Sequence, residues 1–193
     1  MKKIFIFAAS QYAQIIHSYL KEDFQIHNFI VDDINSNPKE LFDVKVISTA
    51  DFLDNFSTND TKLIIGIAQS NLNFTRKNKY IFFKNKGYKF LSYIHKSVKI
   101  FDSNTIGENT FIFDGCSIAP FSEIGNNCII WQNSVIGHHV KIHDHCFMAG
   151  PSTVCGNSTL LENVYLGVSA TVRDGITIEQ NSYIGAGCLI MHN

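Results

Sequence analysis

The chain has 193 residues, 45% of them apolar, with 16 basic and 17 acidic side chains and eight histidines. That composition supports a sizeable buried core and excludes a disordered or collagen-like chain, and the near-balance of charge excludes a strongly basic nucleic-acid binder. No segment approaches the ~20 apolar residues of a membrane span, so the expected partners are small or neutral molecules, with no nucleic acid and no membrane span.

The N-terminal stretch IFIFAAS follows Lys2 and Lys3 as in a signal peptide, but it is short and leads straight into a helix-like segment. Five cysteines without a CxxC pair indicate unpaired thiols in a reducing compartment, with the cytoplasm the expected location. Over residues 1–93, KIFIFAA, FQIHNFIVDD, VKVIST, TKLIIGIA and YKFLSYI predict strands, and residues 11–21 and 71–85 predict amphipathic helices. Strands alternating with helices imply a small Rossmann-like α/β domain with a parallel sheet, whose ligand crevice lies at the C-terminal ends of its strands. That rule points to Ala8, Ala9 and Ser10, to Asp32 and Asp33, and to Gly66. Ser10 reads equally well as a helix N-cap. The basic run of Arg76, Lys77, Lys79, Lys84, Lys86 and Lys89 is either a solvated helix face or a diphosphate site.

From residue 94 a different rule takes over. Steps of six from Ile94 give Ile100, Ile106, Ile112, Ile118, Ile124, Ile130, Ile136, Ile142, Met148, Val154, Leu160, Leu166, Val172, Ile178, Ile184 and Ile190, every one aliphatic. At this composition chance would produce such a run on the order of once in a million. A strict period of six is that of short strands turning corners around a parallel β-helix, three hexads to a coil, so residues 94–193 are expected to stack with eighteen-residue spacing. Four places after the aliphatic positions lies a second slot whose entries are mostly small, read here as a tight buried corner. Four of the five cysteines, Cys116, Cys128, Cys146 and Cys188, occupy that slot and are expected to act as small buried hydrophobes. Gly107, Gly125, Gly137, Gly167 and Gly185 directly follow ladder residues, where a corner is expected to demand unusual backbone angles.

The stretch SVIGHHVKIHDHCFMAG holds four of the eight histidines: His138, His139, His143 and His145. His138 and His143 have the five-residue spacing of β-helical zinc hydratases, but the place of the third ligand, about two coils earlier, holds Asp102 and Ser103, and no metal is expected. An imidazole titrating near neutral pH serves as a general base. Trp131 and Asn133 face the coil before and read as pocket walls or as ordinary packing.

Taken together, IFIFAASQYA, FIVDD, LIIGIA, IHKSVKI and SVIGHH resemble the two-domain bacterial acetyltransferases of nucleotide-linked aminosugars, the family of bacillosamine-pathway N-acetyltransferase and sialic acid O-acetyltransferase. The resemblance implies a left-handed β-helix in a homotrimer, with acetyl-CoA between subunits and a nucleotide sugar on the α/β domain. It implies His138 as catalytic base, Gly156 as the amide facing the thioester, and Val168, Ala186 and Gly187 as further coenzyme contacts. Ser10, Gln11, Tyr12, Asp32, Asp33 and Gly66 match its nucleotide-sugar positions, and His139 and Asn133 are expected beside the sugar. The chain departs from that pattern at AASQYA, where relatives are glycine-rich, at His139 in place of an acid, and at Phe147 in place of a histidine. The expected activity is acetyl transfer from acetyl-CoA to the amine of a dTDP- or UDP-linked amino-dideoxysugar for surface polysaccharide or glycan synthesis. Sugar O-acetylation, zinc-dependent hydration and a non-catalytic scaffold are the alternatives.

Overall fold

The computed structural model describes residues 2–192, which fall into two compact units: residues up to Ala68 with Asn78–Leu91, and Gln69–Lys77 with the chain from Ser92 onward.

In the first unit β1 (Lys3–Phe7), β2 (Ile26–Val31), β4 (Val44–Ser48) and β5 (Thr61–Ile65) form a parallel sheet, with the short strand β3 (Glu40–Leu41) antiparallel at its edge. The strand order is β3-β4-β2-β1-β5. Helices α1 (Gln11–Leu20) and α2 (Thr49–Asn55), with the part of α3 (Phe74–Asn85) from Asn78 onward, complete the α/β pattern. Sequence reading missed β3 and α2. Both are short, and α2 starts from Ser48, whose hydroxyl caps the Asp51 amide. The segment YKFLSYI is not one strand: Phe90 bridges Leu63, and Tyr93–Ile94 already belongs to the first β-helix coil. Phenylalanines fill this core edge-to-face, as in the Phe5–Phe52 pair at 4.9 Å and 68°.

The second unit is a three-faced prism of sixteen two-residue strands, all parallel. Face I stacks Tyr93–Ile94, Phe111–Ile112, Ile129–Ile130, Phe147–Met148, Tyr165–Leu166 and Tyr183–Ile184. Face II runs from Ser117–Ile118 to Leu189–Ile190, and face III from Thr105–Ile106 to Thr177–Ile178. Partners are eighteen residues apart, as in Val135 with Thr153 and Ile136 with Val154. The aliphatic ladders fill one continuous core; each such side chain contributes about 1.5–3 kcal/mol by leaving water. Ile100 is the exception: it lies in no strand and is 37% exposed.

The corners correct two expectations. The cysteines are not merely small apolar fillers. Cys116 donates to Trp131 O at 3.1 Å, Cys128 to His143 O at 3.2 Å and Cys146 to Leu161 O at 3.2 Å. Thr110, Ser122 and Ser158 do the same to Gly125, Gly137 and Arg173. At these six positions the slot holds a small side chain that gives its proton to the corner carbonyl fifteen residues on, whereas Val140, Val164, Ala170 and Ile176 fill it with apolar groups alone. The glycines after ladder residues do not take left-handed angles either. Gly107, Gly137 and Gly167 are required because a Cβ would lie 2.6, 2.6 and 2.5 Å from the amide nitrogens of Asn126, Gly156 and Ala186 in the next coil. The left-handed angles fall two residues later, at Asn109, Phe121, Asn127, Asn133, His139, His145, Asn157 and Asn163 among others.

Candidate active site

His138 and His139 stand at the corner between faces II and III, just before the strand Lys141–Ile142, and both are exposed. Their rings meet through Nδ1, 3.2 Å apart. His139 has φ +57°, and Phe121, in the same position one coil earlier, stacks on its ring at 4.8 Å and 22°. One coil later Gly156 faces the His138 ring: a Cβ there would lie 2.6 Å from Cε1 and 2.7 Å from Nε2. The Asn157 amide donates to His138 O at 2.9 Å, which fixes the register of the two coils. Among the described residues no acceptor takes the Gly156 N–H. An accessible imidazole against an uncommitted amide has the parts for general-base acyl transfer.

The other two histidines belong to a different corner, between faces III and I. His143 is exposed beside a cavity of about 330 Å³ lined by Glu123, Lys141 and Asp144. His145 is buried and forms one rung of a polar ladder. Asn109 Nδ2 donates to Asn127 Oδ1 at 2.5 Å, and Asn127 Nδ2 lies 2.8 Å from His145 Nδ1. Burial first, and the nearby Lys77 and Arg76 after it, outweigh Asp144 and Glu162 and push the His145 imidazole down to about 4. Residues 73–77, which belong to this same unit, seal the ladder. Asn73 donates to His145 O, Arg76 donates to Asn109 O at 2.9 Å and Asn127 O at 3.3 Å, and Lys77 pairs with Glu162. Arg76, 2% exposed, is therefore neither on a solvated face nor in a phosphate site. Among the described residues no three His, Cys, Asp or Glu side chains are grouped to hold a metal ion.

In the first unit the expected crevice exists. Phe7, Ala8, Ala9, Ser10, Val31, Asp32, Asp33 and Asn37 enclose about 320 Å³ at the C-terminal ends of β1 and β2. Ala8 takes φ 107°, a glycine-like angle held by an alanine. Ser10 is the α1 N-cap, accepting from the Ala13 amide, and its hydroxyl donates to Gly66 O at 3.1 Å. Gly66 is explained by packing, since a Cβ would lie 2.8 Å from Phe7 O. Asp32 is held by Lys79 at 2.7 Å and by the Thr49 hydroxyl at 3.0 Å. Asp33 closes a turn by accepting from Ser36 and Asn35, which lowers its carboxyl below the usual range. Gln11 is exposed at the start of α1, whereas Tyr12 is buried. A larger hollow, about 830 Å³, opens at the other end of β2 between His17, Lys21, Asp23, His27, Asp43 and Lys45. No motif in the sequence marked it, and its walls carry both signs of charge.

Val168, Ala186 and Gly187 are exposed at the corner between faces I and II, in consecutive coils, with Gly187 N donating to Val168 O. Asn133 stands in the same column as Gly187, three coils before it, and is exposed. These four are therefore one face away from His138 and Gly156.

Residues 105–138 and 122–156 match the bacterial transferase hexapeptide (six repeats) family. The repeat is that of a hexapeptide left-handed β-helix, and over its whole length the chain shares its fold with solved bacterial structures. It superimposes over 100% of its length on PerB from Caulobacter crescentus, solved with CoA and GDP-perosamine, at TM-score 0.88 and 22% identity, covering 90% of that chain. The acetyltransferase domain of PglB from Neisseria gonorrhoeae matches over 100% of this chain and 93% of its own at TM-score 0.87 and 16% identity. WeeI from Acinetobacter baumannii matches at TM-score 0.86 and 18% identity, over 100% of this chain and 92% of its own. No curated protein sequence matches the chain. No helix among the described residues is long and apolar enough to cross a membrane.

Proposed function

We propose that the protein is an acetyl-CoA-dependent N-acetyltransferase acting on a nucleotide-linked amino-dideoxysugar. The observation that carries the reading is the His138 imidazole resting on Gly156, whose N–H has no acceptor among the described residues. The neutral amine of the sugar attacks the thioester carbonyl while His138 Nε2 takes the amine's proton. The Gly156 N–H donates to the oxyanion, and collapse expels the coenzyme thiolate, which collects the proton from His138. No acyl-enzyme forms.

The crevice lined by Ser10, Asp32 and Asp33, with Gln11, Tyr12 and Gly66 behind it, suits the nucleotide. Its ion pair and turn hydrogen bonds give it a fixed polar rim. Gly156, Val168, Ala186 and Gly187 are the coenzyme contacts in this reading, and His139 and Asn133 flank the sugar. Because Asn133, Val168, Ala186 and Gly187 occupy a different corner from His138 and His139, substrates touching both sets fit a groove between two copies of the chain, as a homotrimer supplies.

The test follows free thiol while the protein meets acetyl-CoA and a panel of UDP-, dTDP- and GDP-linked aminosugars. Release that requires an amine and is lost in His138→Ala supports the reading. Release with hydroxyl-only sugars turns it to O-acetylation, loss of activity on chelation turns it to metal chemistry, and silence against the whole panel removes it.

A further inference from the structure

We infer that His139 is the positioning residue of the catalytic base, filling with an imidazole the place a carboxylate takes beside many histidine bases. The inference rests on the acetyl-transfer reading for its kinetic consequences, but not for the contact itself. His138 Nδ1 and His139 Nδ1 are 3.2 Å apart, so one carries the proton and the other accepts it. When His138 Nε2 gathers the amine's proton, both its nitrogens are donors, and His139 Nδ1 must then be the acceptor. The contact becomes a charge-assisted hydrogen bond as positive charge develops on His138, and so favours the transition state over the ground state. The proton balance is closed: the amine N–H breaks as the Nε2–H forms, the C–N bond forms as C–S breaks, and the thiolate takes the Nε2 proton. The Nδ1–H remains on His138 throughout.

Two features hold His139 to this task. Its backbone takes the left-handed corner angle that Phe121 and Asn157 also hold, and the Phe121 ring stacked on it limits its rotation. Phe121 is tied in turn by its amide to Ser103 Oγ at 3.1 Å. The other charged and titratable groups of this corner are Asp102 and Asp174, two coils before and after His138, with Arg173 beside Asp174, Cys155 beside Gly156 and Lys141 on the following strand. Among the described residues none of these groups hydrogen-bonds either ring.

The fold supplies its own precedents for substitution. The position of His139 is held by Phe121 one coil earlier at φ +65° and by Asn157 one coil later at φ +57°, so His139→Phe and His139→Asn place residues this corner already accommodates. His139→Phe keeps a ring but loses the acceptor, and kcat should fall at least tenfold with the acetyl-CoA KM within twofold. His139→Asn keeps an acceptor and should retain an intermediate rate. His139→Asp supplies a fixed negative charge and should move the acid limb of the kcat/KM profile up by about one pH unit. The inference alone is overturned if His138→Ala abolishes thiol release while all three variants keep the wild-type rate and pH midpoint. It is equally overturned if His139→Phe and His139→Asp lose activity alike without a midpoint shift. Nitrogen-15 spectra of the imidazoles decide the contact even if no amine is acetylated. His138 Nδ1 should report a hydrogen-bonded proton in wild type and His139→Asn and lose it in His139→Phe, and a His138 signal identical in all forms would refute the inference.

Discussion

Gly156 lies so close beneath the His138 ring that a methyl group on its Cα would meet Cε1 and Nε2 at 2.6 and 2.7 Å. Gly156→Ala therefore displaces the imidazole without touching the aliphatic core. The expected outcome is a loss of at least a hundredfold in kcat/KM with a melting temperature within a few degrees of wild type. Steady-state thiol release and a thermal melt check it, and full activity would place the chemistry elsewhere.

The buried His145 makes stability depend on pH. Its folded pKa, about 4, lies below the ordinary 6.5, so between those values the unfolded chain binds the extra proton. Stability is then complete above pH 6.5 and falls on acidification toward pH 4, by about 3 kcal/mol for this group alone. Urea unfolding at pH 7 and pH 4.5 measures the difference. His145→Asn, which restores the residue found at the neighbouring rungs Asn127 and Asn163, should remove most of it.

The thiols should react in the order of their burial. Cys188 is exposed and Cys155 half-buried, whereas Cys116, Cys128 and Cys146 are buried. Burial pushes the Cys116 thiol up to about 11 and holds those of Cys146 and Cys155 above their usual value. An aromatic disulfide reagent at pH 8 should titrate Cys188 fast, Cys155 slowly and the other three only after denaturation. Cys146→Ala should cost about 1–2 kcal/mol by orphaning the Leu161 carbonyl, and Cys146→Ser should cost less, since its hydroxyl replaces the donor.

Ala8 holds φ 107° at the mouth of the crevice at the C-terminal ends of β1 and β2. Ala8→Gly relieves about 1–2 kcal/mol of strain, partly offset by the greater freedom of glycine in the unfolded chain. The melting temperature should rise by about 2–4 °C. An unchanged or lower value would show that the surrounding contacts favour the alanine methyl.

The prism was legible in the sequence because one physical demand, an aliphatic side chain pointing inward at each turn, recurs without interruption from Ile106 to Ile190. The crevice residues Ser10, Asp32 and Asp33 were legible because strand ends in a parallel sheet are predictable places. What the sequence hid are relations that cross coils. The Cys116–Trp131 and Ser122–Gly137 hydrogen bonds join residues fifteen apart, a spacing that competes with the louder period of six. The pattern of hexads could have separated His138 from His145, since the latter shares an eighteen-residue column with Asn109, Asn127, Asn163 and Asn181, where no catalytic role is suggested. Arg76 gave no such clue: a cation in a run of lysines looks solvated until the carbonyls of Asn109 and Asn127 are seen to claim it.

Every strand of the prism is paired only with those one coil away, as Ile124 is with Ile106 and Ile142. The energetics are then those of a one-dimensional chain of neighbours. Folding can nucleate in any adjacent pair of coils and spread axially in both directions, and a weak coil acts as a breakpoint rather than lowering the whole. The coils that carry His138 and Gly156 sit mid-stack, where zippering from either side protects them from fraying.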